Sequence, residues 1–193
     1  MRIVAGRFRG KALTSPEDDS IRPTADRTRE SMFNILASRL GPSFDGLRVL
    51  DLFAGTGALG LEALSRGAAY VIFVDTGAEA RGLVRDHIEA FGAGGISKLL
   101  RRDATALGDA GTMGPVDLVF LDPPYGQGLG EKALASLQHG GWLKPETLLV
   151  LEEGSDVTLD LPPGFALDDR REYGAGALHF IRVELAVGSS PMA

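Results

Sequence analysis

Residues 48–75 read RVLDLFAGTGALGLEALSRGAAYVIFVD. An apolar run gives way to a glycine-rich turn, a helical pattern that stops at Gly67, and a second apolar run ending on Asp75. Strand, glycine turn, helix and strand in that order make a βαβ unit, which lays its two strands parallel. The alternation continues downstream. Strand-like runs recur at SKLLRRDA (97–104), VDLVFLD (116–122), TLLVLEE (147–153) and ALHFIRVEL (177–185). Between them AEARGLVRDHIEAF (78–91) carries Ala80, Leu83, Val84, His87 and Phe91 at helical spacing. Apolar strands separated by helices predict an α/β protein whose mostly parallel sheet is covered on both faces.

Gly55, Gly57 and Gly60 satisfy G-x-G-x-x-G between strand and helix, and Asp75 ends the next strand. Such glycines let the backbone approach a ligand, the helix N-terminus offers N–H groups, and the acid accepts hydrogen bonds from ribose hydroxyls. Alone, these features fit NAD as readily as any other nucleoside. Asp51 turns the reading away from NAD. A carboxylate inside a strand is costly unless a cationic group uses it, and it would repel a pyrophosphate. Asp103 ends the third strand, so acids stand at the ends of successive parallel strands, where such sheets bind ligands. Asp51, Asp75 and Asp103 with no partnering lysine suit a positively charged nucleoside. S-adenosyl-L-methionine, with its sulfonium, ammonium, ribose and adenine, is that nucleoside.

The fourth strand runs into Asp122-Pro123-Pro124-Tyr125, on the same sheet edge. The prolines lack N–H groups, which leaves carbonyls there to act as acceptors. Asp122 and a neighbouring carbonyl can hold both hydrogens of an exocyclic amine and turn its lone pair toward a methyl donor. Tyr125 offers a face for base stacking, worth about 1–3 kcal/mol. In-line positioning then does most of the work, without metal or covalent intermediate.

Composition narrows the rest. A chain of 193 residues predicts one main domain. Zero cysteines exclude disulfides and thiolate chemistry. His87, His139 and His179 are scattered, with no metal-ligand spacing, and read as surface or capping residues. With no apolar run of about 18 residues and no leader pattern, a cytoplasmic protein without a membrane partner is expected. The net charge of −6 is uneven: residues 1–48 hold nine Arg/Lys against six Asp/Glu, and Arg2, Arg7, Arg9 and Lys11 precede every acid. A basic end on an acidic body points to an anionic partner. Residues 2–13 predict a small hairpin or bent strand; if extended, Arg7, Arg9 and Lys11 share a face. A helix follows from Thr24, its cap, to Gly41, its stop.

Four segments together resemble one family: MRIVAGRFRGKAL, IRPTADRTRESMFNIL, LDLFAGTGALGLEALSRGA and FLDPPYGQG. In order and spacing they are similar to the bacterial methyltransferases that modify guanine N2 in small-subunit (16S) ribosomal RNA, over residues 1 to about 185. The resemblance implies a Rossmann-like, seven-stranded methyltransferase sheet with an antiparallel last strand and a small N-terminal β-hairpin extension. It divides the chain into a basic extension (1–22), a catalytic domain (23–185) and a disordered tail (186–193). It implies that Asp51, Phe53, Ala54, Gly55, Thr56 and Gly57 hold the methionine part of S-adenosyl-L-methionine. Asp75 then takes the ribose, Asp103 and Ala104 the adenine, and Asp122, Pro123 and Tyr125 the target amine, with S-adenosylhomocysteine as product. The RNA contacts expected are Arg2, Arg7, Arg9, Lys11 and Arg22, on 16S rRNA within a small subunit or assembly intermediate.

Rival readings remain at this point. Adenine-N6 methyltransferases share Asp-Pro-Pro-Tyr but carry a target-recognition domain, for which no segment here is long enough. Protein-glutamine methylation favours Asn where Asp122 stands. An NAD-binding oxidoreductase would need a second domain, and a non-catalytic RNA-binding assembly factor would have no use for Asp122 and Tyr125.

Overall fold

The computed structural model describes residues 1–15 and 26–184. Its strands are β1 (Arg48–Leu52), β2 (Tyr70–Val74), β3 (Ser97–Leu100), β4 (Val116–Leu121), β5 (Leu143–Gly154), β6 (Phe165–Tyr173) and β7 (Gly176–Val183). They form one sheet in the order β3-β2-β1-β4-β5-β7-β6. The first five are mutually parallel, and β7 runs antiparallel between β5 and β6. The helices are α1 (Asp26–Leu40), α2 (Ala58–Ser65), α3 (Ala78–Ala90) and α4 (Leu129–His139). The expected α/β sheet with its antiparallel final strand is present. Every parallel strand therefore ends at the same edge.

Alternate residues of the strands build two cores. Val49, Val71, Phe73, Leu118 and Phe120 face α1, α2 and α3, whereas Leu50, Leu52, Ile72, Val119 and Leu121 face α4 and Trp142. Two apolar faces per strand are what a sheet covered on both sides requires. Gly60 lets α2 lie directly on β2, since a Cβ there would stand 2.3 Å from Phe73 Cε1.

The N-terminal segment is tied to this body. Arg2 and Ala12 form an isolated antiparallel bridge, and Ile3 and Leu13 are buried in the α1–α3 core. Fully buried Glu62 accepts the N–H groups of Val4 (2.8 Å) and Ala5 (3.0 Å) and Arg66 Nε (2.9 Å). Arg29, equally buried, lies 3.7 Å from the same carboxylate and donates to the Arg2 carbonyl.

The structure departs from the sequence reading in several places. The N-terminal hairpin is as expected, with Ile3 N–H on Lys11 O and Gly10 N–H on Ile3 O, but residues 5–10 form its turns, so the conditional extended face of Arg7, Arg9 and Lys11 is not formed. Strand β6 was not expected, because its run Asp168 to Glu172 is charged. Charge is how an edge strand avoids pairing with other chains. His87 and His179 are buried rather than at the surface, each satisfied by backbone oxygen, while His139 is exposed. Thr24, Arg22 and the tail 186–193 lie outside the described residues.

Removing Glu62 would leave the buried Arg29 with only the exposed Asp26 carboxylate, 2.9 Å from its Nη2, and would free the Val4 and Ala5 amides. Glu62→Ala is expected to destabilise the protein by about 3–5 kcal/mol. Urea denaturation measures this, and hydrogen exchange at Val4 and Ala5 should lose its protection.

Candidate active site

Strands β2, β1 and β4 are neighbours, and the candidate residues follow their C-terminal ends. Asp51 lies within β1, 1 % exposed, on the side facing α2, and accepts the Gly60 N–H at 2.9 Å. Burial pushes its carboxyl up to about 8; the Gly60 hydrogen bond opposes this and the nearby Asp75 charge adds to it. The chain then turns through Phe53, the one non-glycine with positive φ among the described residues, at 57°. Such a conformation costs about 1–3 kcal/mol and concentrates at ligand sites. Helix α2 starts after Gly57 with no cap from that residue; Asp51 takes the Gly60 N–H, and the Ala58 and Leu59 N–H groups, with no partner inside the helix, suit an anion.

Asp75 fastens this loop to the end of β2. Its Oδ2 accepts the Gly55 N–H at 3.0 Å and its Oδ1 the Gly77 N–H at 2.7 Å. A carboxylate offers about four acceptor sites, so two amides do not exhaust it. Asp103 is exposed and caps the turn Ala104–Ala106, where Oδ1 accepts both Thr105 N–H (2.8 Å) and Thr105 Oγ1–H (2.7 Å). The Thr105 hydroxyl and amide hold its carboxyl below the usual range. Ala104 is buried beneath it.

The Asp122 amide donates to Leu52 O at 3.4 Å, which joins the end of β4 to β1 beside the glycine loop. Pro123 is buried and Tyr125 half-buried. The Tyr125 hydroxyl donates to Glu152 Oε1 at 2.5 Å, at the end of β5.

Asp51, Phe53 to Gly57, Asp75, Asp103, Ala104 and Asp122 to Tyr125 thus gather at one sheet edge. Arg2, Arg7, Arg9 and Lys11 do not. The Arg7 amide donates to Ser65 O at 2.8 Å, at the far end of α2, and Lys11 Nζ reaches Ala90 O at the far end of α3. There Arg7 and Lys11 flank the Phe8 ring, and Lys11 also covers Phe91. These side chains are exposed. Arg7, Arg9 and Lys11 make no ion pair among the described residues.

Three contributors escaped the sequence reading. His87 Nε2 accepts the Thr14 N–H (2.9 Å), so its Nδ1 carries the hydrogen that Thr56 O accepts (2.8 Å). It thereby braces the glycine loop against the N-terminal segment. Glu152 and Glu153 end β5 as Asp75 and Asp122 end β2 and β4, and the rule of acids at successive strand ends could have been extended to them. Among the described residues no helix is long and apolar enough to cross a membrane, and no three acids or histidines cluster to hold a metal.

A family model described as Conserved hypothetical protein 95 matches residues 1–182. The chain belongs to this family. Ribosomal RNA small subunit methyltransferase D from Escherichia coli is 38% identical over 84% of this chain and 78% of its own length. The tRNA (guanine(6)-N2)-methyltransferase of Thermus thermophilus is 34% identical over 78% of this chain and 48% of its own. The solved structure of yhhF from Escherichia coli superposes with a TM-score of 0.80 at 32% identity, covering 95% of this chain and 98% of that one. The Conserved hypothetical protein 95 family is thus matched over nearly the whole sequence, basic N-terminus included.

Burial of Asp51 couples folding to pH. In the folded chain the carboxyl stays protonated up to about pH 8, whereas in the unfolded chain it ionises near 3.8. The stability it contributes is present below the unfolded value and lost as pH rises toward 8. Without ligand, Asp51→Asn should therefore gain on the wild type over that window, by up to about 1.4 kcal/mol per pH unit. Denaturation curves at stepped pH test this; parallel curves would contradict it.

Proposed function

We propose that the protein transfers a methyl group from S-adenosyl-L-methionine to the exocyclic N2 of a guanine in small-subunit (16S) ribosomal RNA. The observation that carries this is the meeting of the Asp51–Gly57 loop, Asp75 and Asp122–Tyr125 at adjacent strand ends, in a chain of this family. The names of its relatives supply the substrate: small-subunit ribosomal RNA in one, guanine N2 in another.

The residues present fit the cofactor. Asp51 suits its ammonium, the uncapped N-terminus of α2 its carboxylate, and the remaining acceptor capacity of Asp75 its ribose hydroxyls. Asp103 and Ala104 border the adenine side. When bound, the cofactor supplies an electrophilic methyl on a positively charged sulfur, and S-adenosylhomocysteine is left behind. No metal takes part. Asp122 and a carbonyl of the Pro123-Pro124 segment accept the two amine hydrogens, which directs the nitrogen lone pair at the methyl carbon. As the nitrogen–carbon bond forms, the carbon–sulfur bond would break with its electron pair left on sulfur, and the nitrogen would pass one proton to the Asp122 carboxylate and from there to water. Tyr125 carries the base on its ring. Positioning in line contributes most of the rate.

Arg2, Arg7, Arg9 and Lys11, with Arg22, serve as phosphate contacts that add affinity without choosing a base. Helix α2 of eight residues separates Arg7 from the glycine loop by about 12 Å. One RNA must touch both ends, so a folded RNA within a small subunit or assembly intermediate fits better than a short strand. Residues 1–22 are then the RNA-facing extension of a cytoplasmic enzyme whose chemistry lies in 23–185.

The test is transfer of labelled methyl to small-subunit particles, protein-free ribosomal RNA and duplex DNA, followed by nucleoside identification. N2-methylguanosine is expected, best on the particle; N6-methyladenosine, or DNA as best acceptor, would overturn the reading. Asp122→Ala should bind cofactor normally yet lose at least about a hundredfold in rate.

A further inference from the structure

We propose that Glu153 is a positioning residue for methyl transfer, which fixes the end of the Asp122–Tyr125 loop. The inference rests on the reading of that loop as the amine site. Pro123 and Pro124 have no N–H, so past the Asp122 amide, which donates to Leu52 O, the loop has backbone donors to tether it only from Tyr125 onward. The next residue, Gly126, has φ 73° and donates its N–H to Glu153 Oε1 at 2.8 Å. The same oxygen accepts the Gly154 N–H at 2.7 Å.

Glu153 is wholly buried, and its Oε2 receives no hydrogen bond among the described residues. The neighbouring buried imidazole, His179, is engaged by Leu151 O and Arg170 Nε instead. A carboxyl placed in this way costs stability, since a buried acid needs more than two amides to replace its water. What it organises is the end of the loop. Glu152 supplies the companion contact through its bond with the Tyr125 hydroxyl. Successive acids at the end of β5 thus hold successive residues of the loop, Tyr125 and Gly126.

The floor beneath the ring is built to match. Gly154 and Gly176 are paired across β5 and β7. A Cβ on Gly176 would lie 2.6 Å from the Tyr125 hydroxyl, and one on Gly154 3.5 Å from Tyr125 Cδ2. The ring can tilt only where the two glycines and Glu152 allow. A loop held at both Tyr125 and Gly126 keeps Asp122 at a fixed distance from the glycine loop, and displacement by about 1 Å is enough to cost much of the rate.

The experiment compares Glu153→Ala, Glu153→Asp and Glu153→Gln with wild type and Asp122→Ala, by steady-state methyl transfer and calorimetric cofactor titration. Glu153→Ala and Glu153→Asp should lower kcat at least about tenfold, with cofactor Kd and RNA KM within about threefold of wild type. Glu153→Gln keeps an oxygen for both amides and should recover most of the rate. Glu153→Asp retains the carboxyl one carbon short, so it tests position even if Glu153→Ala fails to fold. Wild-type kcat in Glu153→Asp, no recovery in Glu153→Gln, or a loss of cofactor affinity matching the loss of rate would overturn the proposal. Activity in Asp122→Ala would instead overturn the amine-site reading beneath it.

Discussion

The site depends on a carboxyl placed where water cannot reach it. Asp51 is flanked in β1 by Leu50 and Leu52, covered by α2, and bonded to the Gly60 amide. Gly60 therefore has two tasks: it brings α2 against Phe73 and points an N–H at the acid. That close approach aims the N-terminus of α2 at the glycine loop. The loop in turn is fastened by Asp75 at Gly55 and braced by His87 at Thr56. A single buried acid thus sits where strand, loop and helix meet, and a cationic ligand would resolve the desolvation it suffers.

The proposed function divides the work of recognition between the two ends of the molecule. In the proposed function, chemistry lies at the C-terminal edge of the sheet and phosphate contacts at the far ends of α2 and α3. Glu62 and Ser65 make this division rigid, because they bind the backbone of residues 4–8 directly. The basic side chains project from a fixed platform rather than a loose arm. In the proposed function, RNA that engages it would be presented to the pocket at a set distance.

Much of this could be read from the chain. The βαβ alternation carries the sheet, because buried parallel strands are near-continuous apolar runs, and the acids within β1 and just past β2, β3 and β4 mark the edge proposed to take the ligand. Strand β6 was illegible, since its edge position demands charge instead of an apolar pattern. The N-terminal hairpin was legible, but its docking was not, because the bonds of residues 4–8 to Glu62 and Ser65 join segments far apart in the chain. The rule of acids at strand ends could have flagged Glu153 but not its task, because an acid after an apolar run looks alike whether it faces solvent or a loop amide. His87 was hidden in the same way, as its two partners, Thr14 and Thr56, are distant in sequence.

The most direct test of the proposed pocket is proton release on cofactor binding. Calorimetric titration with S-adenosyl-L-methionine near pH 7, in buffers of different ionisation heat, counts protons exchanged per ligand. The buried Asp51 carboxyl should ionise as it pairs with the cofactor ammonium, and release should approach one proton in the wild type and none in Asp51→Asn. Tight binding with no proton exchange in the wild type would contradict the account.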